Sequence, residues 1–265
     1  MFAGTRRILS LMVSSRMCSC YVRIQVVRLP ESQSAANLTI RRIAMDLNRL
    51  YVLIEKLQRQ TIGEPKWDSE KEVFEYDRRS ADVVAVLKAV RAAHGISALD
   101  ILCNSGLFID FGVIIRCIND CNTEIFFLLE NYPNLSRDVE RFVDAFFHAT
   151  IDEDLSQRPP AIQARKIRSA MVRVLKGQHD DALVKLTERI YGTFSGYVHA
   201  NYAHIMEVYN GATKDFNLRG VPSHHQQQIR QELLNEIAVS VLHSITFIAN
   251  TLGLIELRQE IAKLL

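Results

Sequence analysis

A chain of 265 residues with 48% hydrophobic and 23% charged side chains carries enough apolar material for a self-sufficient core and lies far from the composition of a disordered protein. The formal net charge of +2 hides an asymmetry, because residues 1–42 hold seven arginines against Glu31 alone, which makes that stretch +6 and leaves the remainder at −4. Composition therefore implies no continuous basic surface for nucleic acid, and no run of roughly 18 uninterrupted apolar residues exists to span a bilayer, so no membrane partner is expected.

Residues 1–36 read as a poorly ordered extension. They are rich in Arg and Ser, resemble a transit peptide only superficially, and their apolar stretch at 8–13 is too short for a secretory signal. Within them only 21–29 has the composition of a strand. Residues 37–265 then read as one helical domain. From Asn37 the apolar residues Leu38, Ile43, Leu47, Leu50, Leu53, Ile54 and Leu57 keep to one side, and Gly63 with Pro65 stops the pattern. Ser69 and Glu72 have the form of a capping box, so a helix, or two with a break near Ser80, is expected to run to His94, with Gly95 in the left-handed closing position. Ser97 with Asp100 would open another short helix.

The most apolar stretch, 107–130, is predicted to be the core helix, with Ile115 and Phe126 among its buried residues. Pro133 ends it, Ser136 caps the next helix, and Val139, Phe142, Val143, Phe146 and Phe147 repeat at three and four. After a polar loop at 152–160, a basic amphipathic helix over 161–176 closes on Gly177. A helical stretch over 180–210 follows, then a loop over 212–222, a long helix over 223–252 closed by Gly253, and a short amphipathic tail. The expected fold class is all-α, an antiparallel helical bundle.

Two stripes of polar residues stand out. If 189–202 is helical, Tyr191, Ser195, His199 and Tyr202 share one side, with Gly192 and Gly196 permitting close approach to the backbone. On the core helix, Arg116, Asp120 and Glu124 are likewise four apart, and charges on so apolar an element need partners. The economical expectation is that the stripes meet, with Ser195 or His199 within reach of Arg116, Asp120 or Glu124. They would form either a polar network that fixes helix register or the floor of a pocket.

An arginine followed by acids on a core helix, then some 80 residues later Tyr-x3-Ser-x3-His leading to Tyr202, resembles a group of bacterial helical proteins with a Ser-x-x-x-His signature placed near the HEPN-like fold. The resemblance spans about 106–211 and implies Arg116, Asp120, Ser195 and His199 as candidate catalytic residues, with Glu124, Tyr191 and Tyr202 as candidate binding residues. It also implies a bacterial stress or phage-defence role exercised by binding. The alternative is a metal-independent HEPN-type ribonuclease in which His199 is general acid or base and Arg116 stabilises phosphate charge. The Arg-to-His pairs available for the motif of that ribonuclease class are Arg141 to His148, Arg173 to His179 and Arg219 to His224 or His225. Each lacks the polar residue that should follow the arginine, which is succeeded by Phe142, Val174 and Gly220.

Metals and cofactors are not expected. His199 and His204, five apart on a helix, would point about 140° apart, and Cys117 with Cys121 has no second pair at ligand spacing. The five cysteines read as reduced thiols, which fits a cytoplasmic protein. Phosphate-binding loops, dinucleotide fingerprints and nucleophile elbows are missing from the sequence. A homodimer is compatible with the sequence, and the basic helix over 161–176 is the surface that would dock on RNA or an acidic partner.

Overall fold

In the computed structural model, which describes residues 46–70, 72–148 and 160–264, Asp46 opens the helix α1 (Leu47–Thr61) by accepting the Asn48 amide on its carboxylate. Leu50, Leu53, Ile54 and Leu57 are its buried face, as their spacing predicts. The N-terminal extension, the strand-like segment 21–29, the expected helix start at 37–45 and the polar loop up to residue 159 lie outside the described residues.

The expected capping box at Ser69 does not form. Residues 66–75 make a hairpin of β1 (Lys66–Asp68) and β2 (Val73–Glu75), in which Trp67 pairs with Phe74 across the strands and Glu72 takes a left-handed φ of 55°. The helix α2 (Ala81–Asn104) then starts after Ser80 and runs without interruption through Gly95 and Ser97. Gly95 is a packing residue there, not a helix end: a Cβ at this position would stand 2.7 Å from Ile118 Cγ1, so the missing side chain lets the core helix approach. The Ser97 hydroxyl opens no helix and donates instead to Tyr51 on α1. The true end is Gly106, with φ 69°.

The core helix α3 (Phe108–Leu129) packs against α2 on one side and reaches four further elements. Ile115 is fully buried and Phe126 nearly so, the latter stacked on Phe247. After Tyr132 and Pro133, Ser136 accepts the Val139 amide and opens α4 (Arg137–Phe147). The basic helix α5 (Ala164–Lys176) closes on Gly177 at φ 74°. Asp180 accepts the Leu183 amide to open α6 (Asp181–Val198).

The helix expected to continue to Asn210 stops at His199. Ala200 adopts φ 51°, Asn201 donates to the Gly196 carbonyl, and the chain turns back through α7 (Tyr202–Ile205) and a 3-10 turn (Met206–Val208). Gly196 makes the turn workable, because a Cβ there would stand 2.2 Å from His204 Cε1. Part of the expected loop is a second hairpin, β3 (Tyr209–Asn210) with β4 (Asp215–Phe216). Ser223 caps the long helix α8 (His224–Thr251), and Gly253 separates it from α9 (Ile255–Ala262).

The described residues thus form an all-α bundle with two very small hairpins. By length and composition α8 is apolar enough to cross a membrane, but 56% of that apolar window is buried, and the helix packs on α2, α3 and α9. Burial inside the bundle accounts for its apolar character.

Candidate functional site

Charges on an apolar helix need partners, and α3 finds them in three directions. Arg116 pairs with Asp120 one turn on, Glu124 reaches Lys88 of α2 at 2.6 Å, and the Arg116 guanidinium lies 3.6 Å from the centre of the Tyr191 ring on α6. Arg168 of α5 approaches the same ring at 4.8 Å. The two guanidiniums are held against one tyrosine ring by cation–π attraction. The bonds of Arg116 to Asp120 and of Lys88 to Glu124 are charge contacts rather than well-aligned hydrogen bonds, since Arg116 Nη1 and Glu124 Oε2 are enclosed without hydrogen-bond geometry.

These residues line a cavity of about 630 Å³ among α2, α3, α4, α5, α6 and α8, which falls within the roughly 300–1,000 Å³ typical of small-molecule sites. Its walls differ. Phe126, Phe142, Phe146, Ile167, Met171 and Leu175 supply apolar surface, while Arg116, Asp120, Glu124, Lys88, Arg168 and Tyr191 supply charge and hydrogen-bonding capacity. From α8, Ser240 and Ser244 clamp Asn122 of α3: the Asn122 amide donates to Ser240 at 3.0 Å, and the Ser244 hydroxyl donates back to Asn122 Oδ1 at 2.9 Å. Burial holds the neighbouring His243 below the usual histidine range, so its ring favours the neutral form. Arg141 sits at the edge, donating to the Pro160 carbonyl and facing Asp138 at 3.6 Å.

The two stripes meet, at Tyr191 and Arg116. Ser195 and His199 are outside the cavity lining, and His199 ends α6 with an exposed side chain. Tyr202, beyond the turn, is 79% exposed. Of the seven candidate residues, the cavity therefore collects Arg116, Asp120, Glu124 and Tyr191 and leaves out Ser195, His199 and Tyr202. Lys88, Arg168, Asn122 and His243 join it without having been singled out.

A second polar cluster was also missed. The Tyr197 hydroxyl donates to Glu207 Oε1 at 2.8 Å, and Arg230 of α8 donates to Glu207 Oε2 at 2.9 Å while lying over the Phe108 ring. Arg230 is only 6% exposed. Two glycines seal this cluster: a Cβ on Gly112 would stand 2.4 Å from Tyr197 Cγ, and Gly196 admits His204 against the other side of the tyrosine. An arginine on the apolar helix α8 was the available signal for it.

The basic side chains of α5 face acids of neighbouring helices. Lys166 meets Asp138 at 2.5 Å, Arg173 holds Glu130 in a fork at 2.5 and 2.8 Å, and Arg165 stands 3.8 Å from Asp181. That helix therefore presents less uncompensated charge than its sequence shows. Among the described residues no group of three or more His, Cys, Asp or Glu is placed to hold a metal ion. Comparisons with protein-family profiles, with curated proteins and with solved structures give no match.

Proposed function

We propose that the protein acts by binding, and that its cavity takes a small, largely apolar molecule. The single observation behind this reading is the cavity itself: about 630 Å³ of space, partly open to solvent, lies among side chains of six helices, within the size range of small-molecule sites. Six large apolar side chains line that space, and a bound apolar molecule would remove their surface from water.

The HEPN-like kinship and a bacterial stress or phage-defence setting belong to the same proposal and rest on the Tyr191, Ser195 and His199 spacing alone. A ribonuclease using His199 and Arg116 needs both at one cleft, and the exposed end of α6 carrying His199 lies outside the cavity that Arg116 lines. Binding is the better supported reading.

The neutral dye N-phenyl-1-naphthylamine tests it by fluorescence titration. Saturable binding at one dye per chain is expected, and it should be lost in Ala145→Trp or Thr187→Phe, which fill the cavity from α4 and α6. Unsaturable binding, or affinity unchanged in both folded variants, would show that the cavity takes no ligand.

A further inference from the structure

Among the described residues, four cations line the cavity, Lys88, Arg116, Arg141 and Arg168, and two acids, Asp120 and Glu124, while Asp138 and Glu188 lie just beyond the lining, 3.6 Å from Arg141 and 3.8 Å from Arg168. Both acids are committed. Asp120 holds Arg116 and Glu124 holds Lys88, while Arg141 is turned toward Asp138 and the Pro160 carbonyl.

Arg168 is different. Its side chain is only 14% exposed, its closest acid, Glu188, stands 3.8 Å from Nη2, and its enclosed Nε has no acceptor among the described residues. Enclosed donors without acceptors are rare in folded proteins, and a guanidinium that spends one side on the Tyr191 ring keeps its planar fork available for an oxyanion. Arg116 brings a second guanidinium to the same ring. The same lining holds an apolar cluster of Phe126, Met171 and Leu175. The cavity thus offers both guanidiniums beside Tyr191 and apolar surface.

Resting on the reading of the cavity as a ligand site, we infer that the ligand is an amphipathic anion, a hydrocarbon or aromatic body ending in a carboxylate or phosphate group, with its charged end held by Arg168 and Arg116 beside Tyr191. The acids are no obstacle, because each is already neutralised by its own cation. Selection against a neutral analogue follows from leaving the enclosed Arg168 Nε without an acceptor, and selection against a cation follows from the two guanidiniums at Tyr191.

Four ten-carbon competitors separate the possibilities: decanoate, decyl phosphate, decanol and decylammonium, each displacing N-phenyl-1-naphthylamine from the full chain. At least one of the two anions should compete roughly tenfold or more better than decanol, and decylammonium should be the weakest. Whichever anion leads tells carboxylate from phosphate. In Arg168→Gln the anions should fall to the level of decanol while decanol itself is unchanged. Saturable dye binding with decanol equal to both anions, or an anion preference that survives Arg168→Gln, overturns the inference and leaves the cavity reading standing. Dye that fails to bind saturably removes the cavity reading and this inference with it.

Discussion

One helix, α6, carries two polar clusters of opposite kinds. Toward its C-terminal end, Tyr197 and Arg230 both donate to Glu207 in a cluster whose gaps are closed by a ring on Gly112 and the His204 imidazole on Gly196, with His204 Nδ1 enclosed without a partner among the described residues. Nearer its middle, Tyr191 sits between Arg116 and Arg168 at the wall of an open cavity, where Arg168 Nε is enclosed without an acceptor among the described residues. Both use a tyrosine and an arginine. What separates them is whether room remains beside the polar groups.

The largest expected effect lies in the sealed cluster. Glu207→Ala would leave Arg230 buried without its carboxylate, at a cost of roughly 3 kcal/mol, toward the low end for a broken buried pair because Glu207 keeps 21% of its side-chain surface. Urea denaturation measures this, and a loss below about 1 kcal/mol would mean that the cluster contributes little to the fold. Dye binding in the cavity should survive the substitution.

A smaller effect belongs to the cavity wall. The His243 ring is held below its ordinary range by burial, so on acidification the unfolded chain takes up a proton near pH 6.5 while the folded chain does not. This site's stability is therefore full above about pH 6.5 and lost progressively as the pH falls toward the lower folded value. Comparing the pH profiles of the wild type and His243→Gln by denaturation isolates it. Identical slopes below pH 6.5 would show that His243 does not titrate differently in the two states.

Smallest should be the stability change in Arg168→Gln. Its pairing with Glu188 is long and partly exposed, so the folded state should change by no more than about 0.5 kcal/mol. A much larger loss would move Arg168 from the binding side of the comparison to the structural side.

Long, strongly periodic helices were legible in the sequence, together with the stop and start signals whose mechanism is local. Ser136 accepts the amide expected of a helix cap, the helices expected from about 180 and 223 begin at Asp181 and His224, and Gly177 and Gly253 take positive φ at helix ends. Gly95 misled because a glycine that admits Ile118 and a glycine that ends a helix are the same letter, and only the tertiary contact tells them apart. The turn at Ala200 was invisible since alanine rarely takes a left-handed φ, and here it does so to bring His204 onto Gly196.

The candidate site was half legible for a geometric reason. Each step of four residues drifts about 40° around a helix, so His199 stands some 80° around and about 12 Å along from Tyr191. A stripe that begins at the cavity therefore winds out of it, taking Ser195 and His199 away. Glu124 drifts likewise, and its partner Lys88 comes from α2 rather than α6. Lys88, Arg168 and His243 come from three separate helices, and no spacing within one segment announces such a meeting.

The contrast between the sealed and the open cluster is tested most directly by a crystal structure grown with saturating decanoate. The expected result is one decanoate in the cavity, its carboxylate about 3 Å from the guanidinium of Arg168 or Arg116 and its chain running along Phe126 and Met171, while the Tyr197, Glu207 and Arg230 contacts stay as they are. Decanoate bound only elsewhere, or a cavity closed by the protein's own side chains at saturating ligand, would contradict it.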